Sequence, residues 1–229
     1  MPLDPEVEAA KERGWRAAAD LDAALAAGHI DEAAWHRRSL EMVEDAYLAG
    51  ATLQAQSGHS GDAVRWETAR RPVLDAVDRG GTFLDVGCAN GLLMESVAAW
   101  SREDGHPLEP YGVDISPRLA DLARRRCPQW ADRVWAANAL GWTPPRRFTY
   151  VRTGLDYVPP PRRAEYVDHL LSEVVEPGGR LVVGVFNEER DQDGLAALVA
   201  SWGFPVAGRT ARPHRHPAVA YKAFWVDAR

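Results

Sequence analysis

The segment spanning residues 81–95 constrains the fold more than any other part of the chain. It begins with an apolar run around Asp85 that is typical of a buried strand, and it continues into a turn of small residues, 87–91. Apolar residues then recur at helical spacing, so the unpaired N–H groups of a helix start face the turn. Glycines in such a turn let the backbone bend sharply and approach a ligand closely. The segment therefore predicts a cradle for a nucleotide.

A second acidic residue lies at the distance that such a cradle needs. The apolar run 110–114 predicts another strand and ends at Asp114, roughly 20 residues beyond the turn. In a right-handed crossover the ends of the two strands lie side by side. The Asp114 carboxylate is therefore expected to accept both hydroxyl groups of a ribose.

The turn also distinguishes between classes of nucleotide. A dinucleotide-binding turn requires glycine at its first, third and sixth positions, which here are Gly87, Ala89 and Leu92. Two of these three positions lack glycine, and Ala89 would crowd a pyrophosphate. The phosphate-binding loop that ends in Gly-Lys-Ser or Gly-Lys-Thr does not occur in the chain. Both classes are therefore disfavoured.

These motifs resemble those of class I S-adenosylmethionine-dependent methyltransferases. The resemblance covers roughly residues 62–229, and it implies S-adenosylmethionine as cofactor. Five segments carry it, in the family's order. Residues 84–91 resemble the first motif, 112–116 the second motif and 138–139 the usual Asp-Ala pair. Residues 148–155 resemble the fourth strand with its active-site edge, and 176–181 the turn into the fifth strand.

The resemblance implies a set of contacts with the cofactor. Asp85 would face the amino group of its methionine part, Asp114 would hold the ribose, and Ile115 would cover the adenine. Ala89 and Asn138 depart from the commoner glycine and aspartate of the family, although an amide can still accept from the adenine amino group. The full set of implied contacts is Asp85, Gly87, Cys88, Ala89, Asn90, Gly91, Asp114, Ile115, Asn138, Ala139 and Thr153.

Methyl transfer from a sulfonium requires mainly that a nucleophile be aligned and water excluded. An alcohol or a protonated amine as acceptor would also need a general base near the ends of strands four and five. The candidates are Asp156 and Tyr157, which follow the predicted fourth strand, and His59 in a polar loop. Each has a structural alternative: Asp156 could cap a turn, Tyr157 could pack, and His59 could be solvated.

Composition limits the possible partners and the cellular location. A chain of 229 residues with a formal net charge of -6 is not expected to bind nucleic acid or an anionic membrane surface without further signals. Two cysteines, no signal peptide and no apolar run of about 20 residues predict a cytoplasmic protein. His214 and His216 have no accompanying ligand cluster, so no metal site is expected.

Alternating apolar strands and helical segments predict an α/β fold, with a doubly wound, seven-stranded and mostly parallel sheet. Residues 1–61 are expected to form an N-terminal helical appendage, and residues 62–229 the core with a final antiparallel hairpin. The appendage would either cover the ligand crevice as a lid or pack on one face of the sheet. The predicted strands are 82–86, 110–114, 132–136, 147–152, 179–186, 204–209 and 218–226.

The sequence thus predicts a methyltransferase that acts on an oxygen or nitrogen atom of a small organic molecule. We expect a monomer or homodimer, and the abundance of arginine and alanine suggests a GC-rich bacterial source. Three alternatives stay open: an RNA or protein methyltransferase, a module that binds S-adenosylmethionine without catalysis, and an NAD-dependent oxidoreductase. The net charge disfavours RNA, and the turn disfavours NAD.

Overall fold

A seven-stranded sheet forms the centre of the computed structural model, which describes residues 5–229, with side chains for residues 14 and 16–229. The strand order is β3-β2-β1-β4-β5-β7-β6; β7 runs antiparallel to both of its neighbours, and the other pairs are parallel. This confirms the predicted doubly wound sheet with its final hairpin. The strands are β1 Gly81–Val86, β2 Leu108–Asp114, β3 Val134–Ala136, β4 Phe148–Thr153, β5 Val175–Glu189, β6 Gly208–Pro213 and β7 Val219–Asp227.

Seven α-helices among the described residues accompany the sheet: α1 Pro5–Ala26, α2 Glu32–Leu48, α3 Ala63–Arg70, α4 Leu92–Glu103, α5 Pro117–Arg126, α6 Arg163–His169 and α7 Gly194–Ser201. Successive strand residues supply opposite faces, since Phe83 and Leu84 belong to different hydrophobic clusters. The sheet is therefore buried on both faces. Among residues 5–229, no helix is both long and apolar enough to cross a membrane.

The edge strand β6 begins later than predicted. Residues 204–207 were expected to pair, but the strand starts at Gly208. Pro205 has no N–H group to donate to a ladder, and the neighbouring Phe204 and Val206 pack against the core. The other strands also differ from their predicted bounds, most of them by one or two residues. A 3₁₀ turn over Pro128–Arg133 delays β3, and β5 starts at Val175 instead of residue 179.

The two N-terminal helices pack against each other through a buried tryptophan. Trp35 of α2 is 4% exposed, and its indole N–H donates to Asp22 of α1 over 2.9 Å. Asp31 caps α2 by accepting from the backbone N–H of Ala34. Ion pairs then join both ends of α2 to the rest of the chain, through Glu32 to Arg162 and through Glu44 and Asp45 to Arg118.

Candidate functional site

A cavity of about 830 Å³ lies at the carboxyl ends of the central strands. Its floor comes from the ends of β1, β2, β4 and β5, and side chains of α1 and α2 form part of its wall. Open α/β sheets bind their ligands in this position. The N-terminal helices therefore border the site directly.

The turn after β1 has the left-handed conformation that its small residues permit. Gly87 and Gly91 have φ of 75° and 77°, and Ala89 has φ of 47°. The N–H of Gly87 donates to the carbonyl of Val113 over 2.8 Å, which fixes the turn to the end of β2. A Cβ atom on Gly87 would lie 2.8 Å from the ring of Tyr157. Glycine at this position therefore keeps the cavity floor open.

Asp114 anchors the same turn from the end of β2. Its Oδ2 accepts from the N–H of Ala89 and its Oδ1 from the N–H of Ser116, each over 2.8 Å. Burial raises the pKa of Asp114, and these two donors oppose that effect. A carboxylate oxygen has more than one lone pair. Both oxygens can therefore still accept hydroxyl groups from the cavity.

An ion pair is buried beneath the turn. Nη1 of Arg152 lies 3.2 Å from Oδ1 of Asp85 and donates to the hydroxyl of Tyr157 over 3.0 Å, while its Nε donates to the carbonyl of Gly184. Burial raises the pKa of Asp85 to about 6, although the positive charge of Arg152 favours the ionised carboxylate. Asp85 therefore presents an anion to the cavity at neutral pH.

Arg70 supplies a second guanidinium to the cavity wall. It lies at the end of α3, with its Cζ 5.2 Å from the centre of the Trp66 ring. Its Nη1 donates to the carbonyl of Ala69 over 3.3 Å, and no carboxylate pairs with it among the described residues. Burial lowers the pKa of Arg70, and the charge of Arg152 lowers it further. The wall thus has a cation that an anionic ligand group would stabilise.

Ten of the predicted site residues line the cavity: Asp85, Gly87, Cys88, Ala89, Asp114, Ile115, Asn138, Ala139, Asp156 and Tyr157. The carboxamide oxygen of Asn138 accepts from the N–H of Leu140 over 3.1 Å, so part of its bonding capacity is used locally. Asp156 is exposed. Burial raises the pKa of Tyr157 to about 12, so its hydroxyl is protonated at neutral pH and is poorly suited to act as a base.

Three residues predicted to bind the cofactor do not line the cavity. The Asn90 side chain is fully buried and donates to the carbonyl of Leu53 over 2.9 Å, which ties the turn to the N-terminal region. Gly91 faces the thiol of Cys127. The hydroxyl groups of Thr153 and Tyr166 lie 2.6 Å apart in the core. In this structure their side chains or Cα atoms contact neighbouring parts of the chain.

The catalytic candidate His59 does not line the cavity either. It is 7% exposed, and its ring packs edge-on against Trp66 at 5.6 Å between centroids. Trp66 itself lines the cavity, and His59 therefore lies behind that part of the wall. In contrast, Arg152 lines the cavity but was not predicted as a site residue. A charged residue within the apolar run 148–153 is the signal that could have identified it.

Among the side chains that the structure describes, those of residue 14 and residues 16–229, there is no group of three or more His, Cys, Asp or Glu suited to a metal ion.

Comparison with known proteins shows what this chain resembles. No family model matches it. Demethylmenaquinone methyltransferase from Tropheryma whipplei is 30% identical over 129 residues, which are 55% of this chain and 49% of that protein. The chain thus matches about half the length of this relative.

Solved structures share the fold at lower identity. The 1,6-didemethyltoxoflavin-N1-methyltransferase of Burkholderia thailandensis, whose structure contains 1,6-didemethyltoxoflavin and S-adenosylhomocysteine, has a TM-score of 0.53 and 22% identity, over 73% of this chain and 81% of that one. The N-methyltransferase NodS of Bradyrhizobium japonicum gives 0.52 and 17%, over 72% and 94%. The [4+2]-cyclase SpnF gives 0.56 and 16%, over 81% and 94%.

Proposed function

We propose that the chain transfers a methyl group from S-adenosylmethionine to an oxygen or nitrogen atom of a small organic molecule, because it shares its fold with methyltransferases, one of them solved with S-adenosylhomocysteine bound. One observation carries this proposal. The glycine turn after β1 and the Asp114 carboxylate after β2 are joined by the hydrogen bond from Ala89 and face one cavity. Such a pair would bind a ribose and the methionine part that is attached to it.

The charges of the cavity floor suit the methionine part of this cofactor. That part carries an amino cation and a carboxylate, and the cavity presents the Asp85 anion from its floor and the Arg70 cation from its wall. We assign the amino group to Asp85 and the carboxylate to Arg70. Ile115, which is 38% exposed, together with Asn138 and Ala139 would contact the adenine.

When bound, the cofactor supplies an electrophilic methyl group on a sulfonium. The chain's own residues orient the acceptor and exclude water. Asp156 is the carboxylate at the cavity that we propose as the proton acceptor, because Tyr157 stays protonated. Arg152 holds the Tyr157 hydroxyl in place over 3.0 Å. His59 has no proposed role in catalysis, since it does not line the cavity.

The size and cover of the cavity support a small acceptor. Leu21 of α1 and Trp35, Leu40 and Val43 of α2 all border it. This cover favours a small molecule over an RNA or a protein, and the net charge of -6 also disfavours RNA. We propose a protein without stable nucleic-acid or membrane partners, either a monomer or a homodimer.

Binding of S-adenosylmethionine without methyl transfer is the second candidate. The chain shares its fold with the [4+2]-cyclase SpnF, and one fold can carry different activities. The fold alone therefore does not distinguish methyl transfer from binding without transfer. Incubation with methyl-tritiated S-adenosylmethionine and a bacterial metabolite extract separates the two. Methyl transfer predicts labelled small molecules that are absent with Asp114→Ala; a protein that binds the donor but labels nothing is a binding module.

We propose that residues 1–61 act as a lid on the core of residues 62–229. The ion pairs between the lid and the core provide a test. Glu32 pairs with Arg162, and Glu44 pairs with Arg118 over 2.7 Å and bonds to the Ser116 hydroxyl. Partly exposed pairs contribute about 0.2–1 kcal/mol each. The double variant Glu32→Gln, Glu44→Gln should therefore bind S-adenosylhomocysteine roughly threefold to tenfold more weakly by calorimetry.

The matched control for the lid is Glu109→Gln. Glu109 also pairs with an arginine, Arg133, over 2.8 Å, but neither residue borders the cavity. The Glu109→Gln variant should bind S-adenosylhomocysteine as tightly as the original protein. Equal affinity in the double variant as well would mean that the helices pack on the core without controlling the site.

A further inference from the structure

The carboxamide of Asn90 joins the glycine turn to the N-terminal lid. Its Nδ2 donates to the carbonyl of Leu53 over 2.9 Å and to Oε1 of Gln56 over 3.4 Å. Its Oδ1 accepts from the Ser57 hydroxyl and, over 3.0 Å, from the N–H of Leu92. A carboxamide has two donor hydrogens and an oxygen with two lone pairs. The bonding capacity of this buried side chain is therefore fully used, and most of it is directed to the lid.

The same part of the lid is also fixed to the end of α2. Nε2 of Gln56 donates to the carbonyl of Gly50, just beyond α2, over 3.1 Å. Gly58 has φ of 69°, and a Cβ atom there would lie 2.5 Å from Cζ of Tyr47. Glycine is therefore required where this backbone passes the tyrosine. Residues 53–58 thus connect Asn90 of the turn to Tyr47 of α2.

The Tyr47 hydroxyl is the polar group that this arrangement brings to the cavity. Tyr47, Ser57 and Gly58 all line the cavity. Tyr47 is half-buried, and its hydroxyl forms no hydrogen bond with any residue that the structure describes. Burial raises the pKa of Tyr47, and the negative charge of Asp156 raises it further. The hydroxyl is therefore protonated at neutral pH and can donate to a ligand.

The surroundings of this hydroxyl favour the cofactor as its ligand. Asn90 belongs to the turn that we assign to the cofactor, and its partner Ser57 directly precedes Gly58. The charges of Arg70 and Asp114 also act on the Tyr47 hydroxyl. We assign these two side chains to the methionine carboxylate and to the ribose. Both of those cofactor groups have oxygen atoms that accept hydrogen bonds.

We propose that Asn90 is the positioning residue that holds the lid against the bound cofactor, and that the Tyr47 hydroxyl is the group through which the lid donates a hydrogen bond to it. This inference rests on the proposed function, since it adds residues to the same site. Asn90 acts from outside the cavity, through residues 53–58, whereas Tyr47 contacts the cofactor itself.

Calorimetric titration of S-adenosylhomocysteine into a set of variants tests the inference. Tyr47→Phe removes only the hydroxyl, and it should weaken binding about threefold to tenfold, as expected for one hydrogen bond. Asn90→Ala should weaken binding at least as much. In the Asn90→Ala protein, the further substitution Tyr47→Phe should change the affinity by less than about twofold, because the hydroxyl is no longer held in place.

This lack of additivity separates positioning from a merely structural role of Asn90. If Asn90 only stabilised the turn, the two substitutions would weaken binding independently and their effects would add. Additive effects, or an unchanged affinity in Tyr47→Phe, would overturn the inference. Tyr221→Phe is the matched control, because the Tyr221 hydroxyl bonds to Arg65 and does not border the cavity. It should leave the affinity unchanged.

Gly58→Ala tests the same contact from the lid, and it decides if Asn90→Ala does not fold. The new methyl group would collide with Tyr47, so the affinity for S-adenosylhomocysteine should fall about threefold or more. Gly28→Ala is the matched control. Gly28 has φ of 73°, a Cβ atom there would meet no atom within 4 Å, and Gly28 does not border the cavity. Equal affinity in these two variants would overturn the inference.

The original protein is titrated with S-adenosylhomocysteine before any variant. Absence of binding at that stage would contradict the proposed function itself. Binding by the original protein that is unchanged in Tyr47→Phe would contradict only the roles of Asn90 and Tyr47.

Discussion

Arg152→Met is expected to lower the free energy of unfolding by about 3–5 kcal/mol, which is typical when one partner of a buried ion pair is removed. The Asp85 carboxylate, 2% exposed, would lose its counter-charge, and the Gly184 carbonyl and the Tyr157 hydroxyl would each lose a donor. Urea unfolding followed by circular dichroism measures the change. The affinity for S-adenosylhomocysteine should fall as well, because the side chains of Arg152, Asp85 and Tyr157 all line the cavity.

Two further variants separate the charge from the packing. Arg133→Met removes a more exposed pair with Glu109, and it should cost no more than about 1 kcal/mol. The double variant Arg152→Met, Asp85→Leu removes both buried charges and should recover much of the lost stability, but it should not recover binding of S-adenosylhomocysteine. An Arg152→Met protein within 1 kcal/mol of the original would show that this pair is not structurally important.

Gly87→Ala is expected to reduce the affinity for S-adenosylhomocysteine by at least tenfold, or about 1.4 kcal/mol. Two effects combine at this position. A non-glycine residue at φ of 75° is strained by about 1–2 kcal/mol. The added methyl group would also lie 2.8 Å from the Tyr157 ring, so that ring, which lines the cavity, must shift.

Gly105→Ala isolates the first of these effects. Gly105 has φ of 80°, and a Cβ atom there would meet no atom within 4 Å. Both variants should lose similar stability from backbone strain, as measured by thermal unfolding, while only Gly87→Ala loses affinity in calorimetry. If the two variants bind S-adenosylhomocysteine equally well, the close approach of Gly87 to Tyr157 does not shape the site.

The sheet and its glycine turn were predictable because their signals are local. The apolar run before Gly87, the small residues of the turn and the acidic end of β2 each lie within a few consecutive residues. Strand alternation then determines which residues face each hydrophobic cluster. The hydrogen bond from Ala89 to Asp114 follows from the predicted adjacency of the two strand ends.

Contacts between distant segments account for the residues that sequence reasoning misplaced. Nothing local to Asn90 indicates that its side chain bonds to Leu53 of the N-terminal region. His59 lies in a polar stretch, yet packing against Trp66 buries it. Arg152 becomes part of the site only because Asp85 lies on the neighbouring strand, where the two residues are in register. Such pairings depend on the tertiary fold, and a single sequence does not specify them.

The central claim is that the glycine turn and Asp114 bind S-adenosylmethionine. Calorimetric titration with S-adenosylhomocysteine and, separately, with NAD tests it most directly. We expect a single site for S-adenosylhomocysteine, no detectable heat of binding for NAD, and loss of the S-adenosylhomocysteine signal in Asp114→Ala. Binding of NAD by a folded protein that ignores S-adenosylhomocysteine would contradict the assignment of the cofactor and, with it, the proposed methyl transfer.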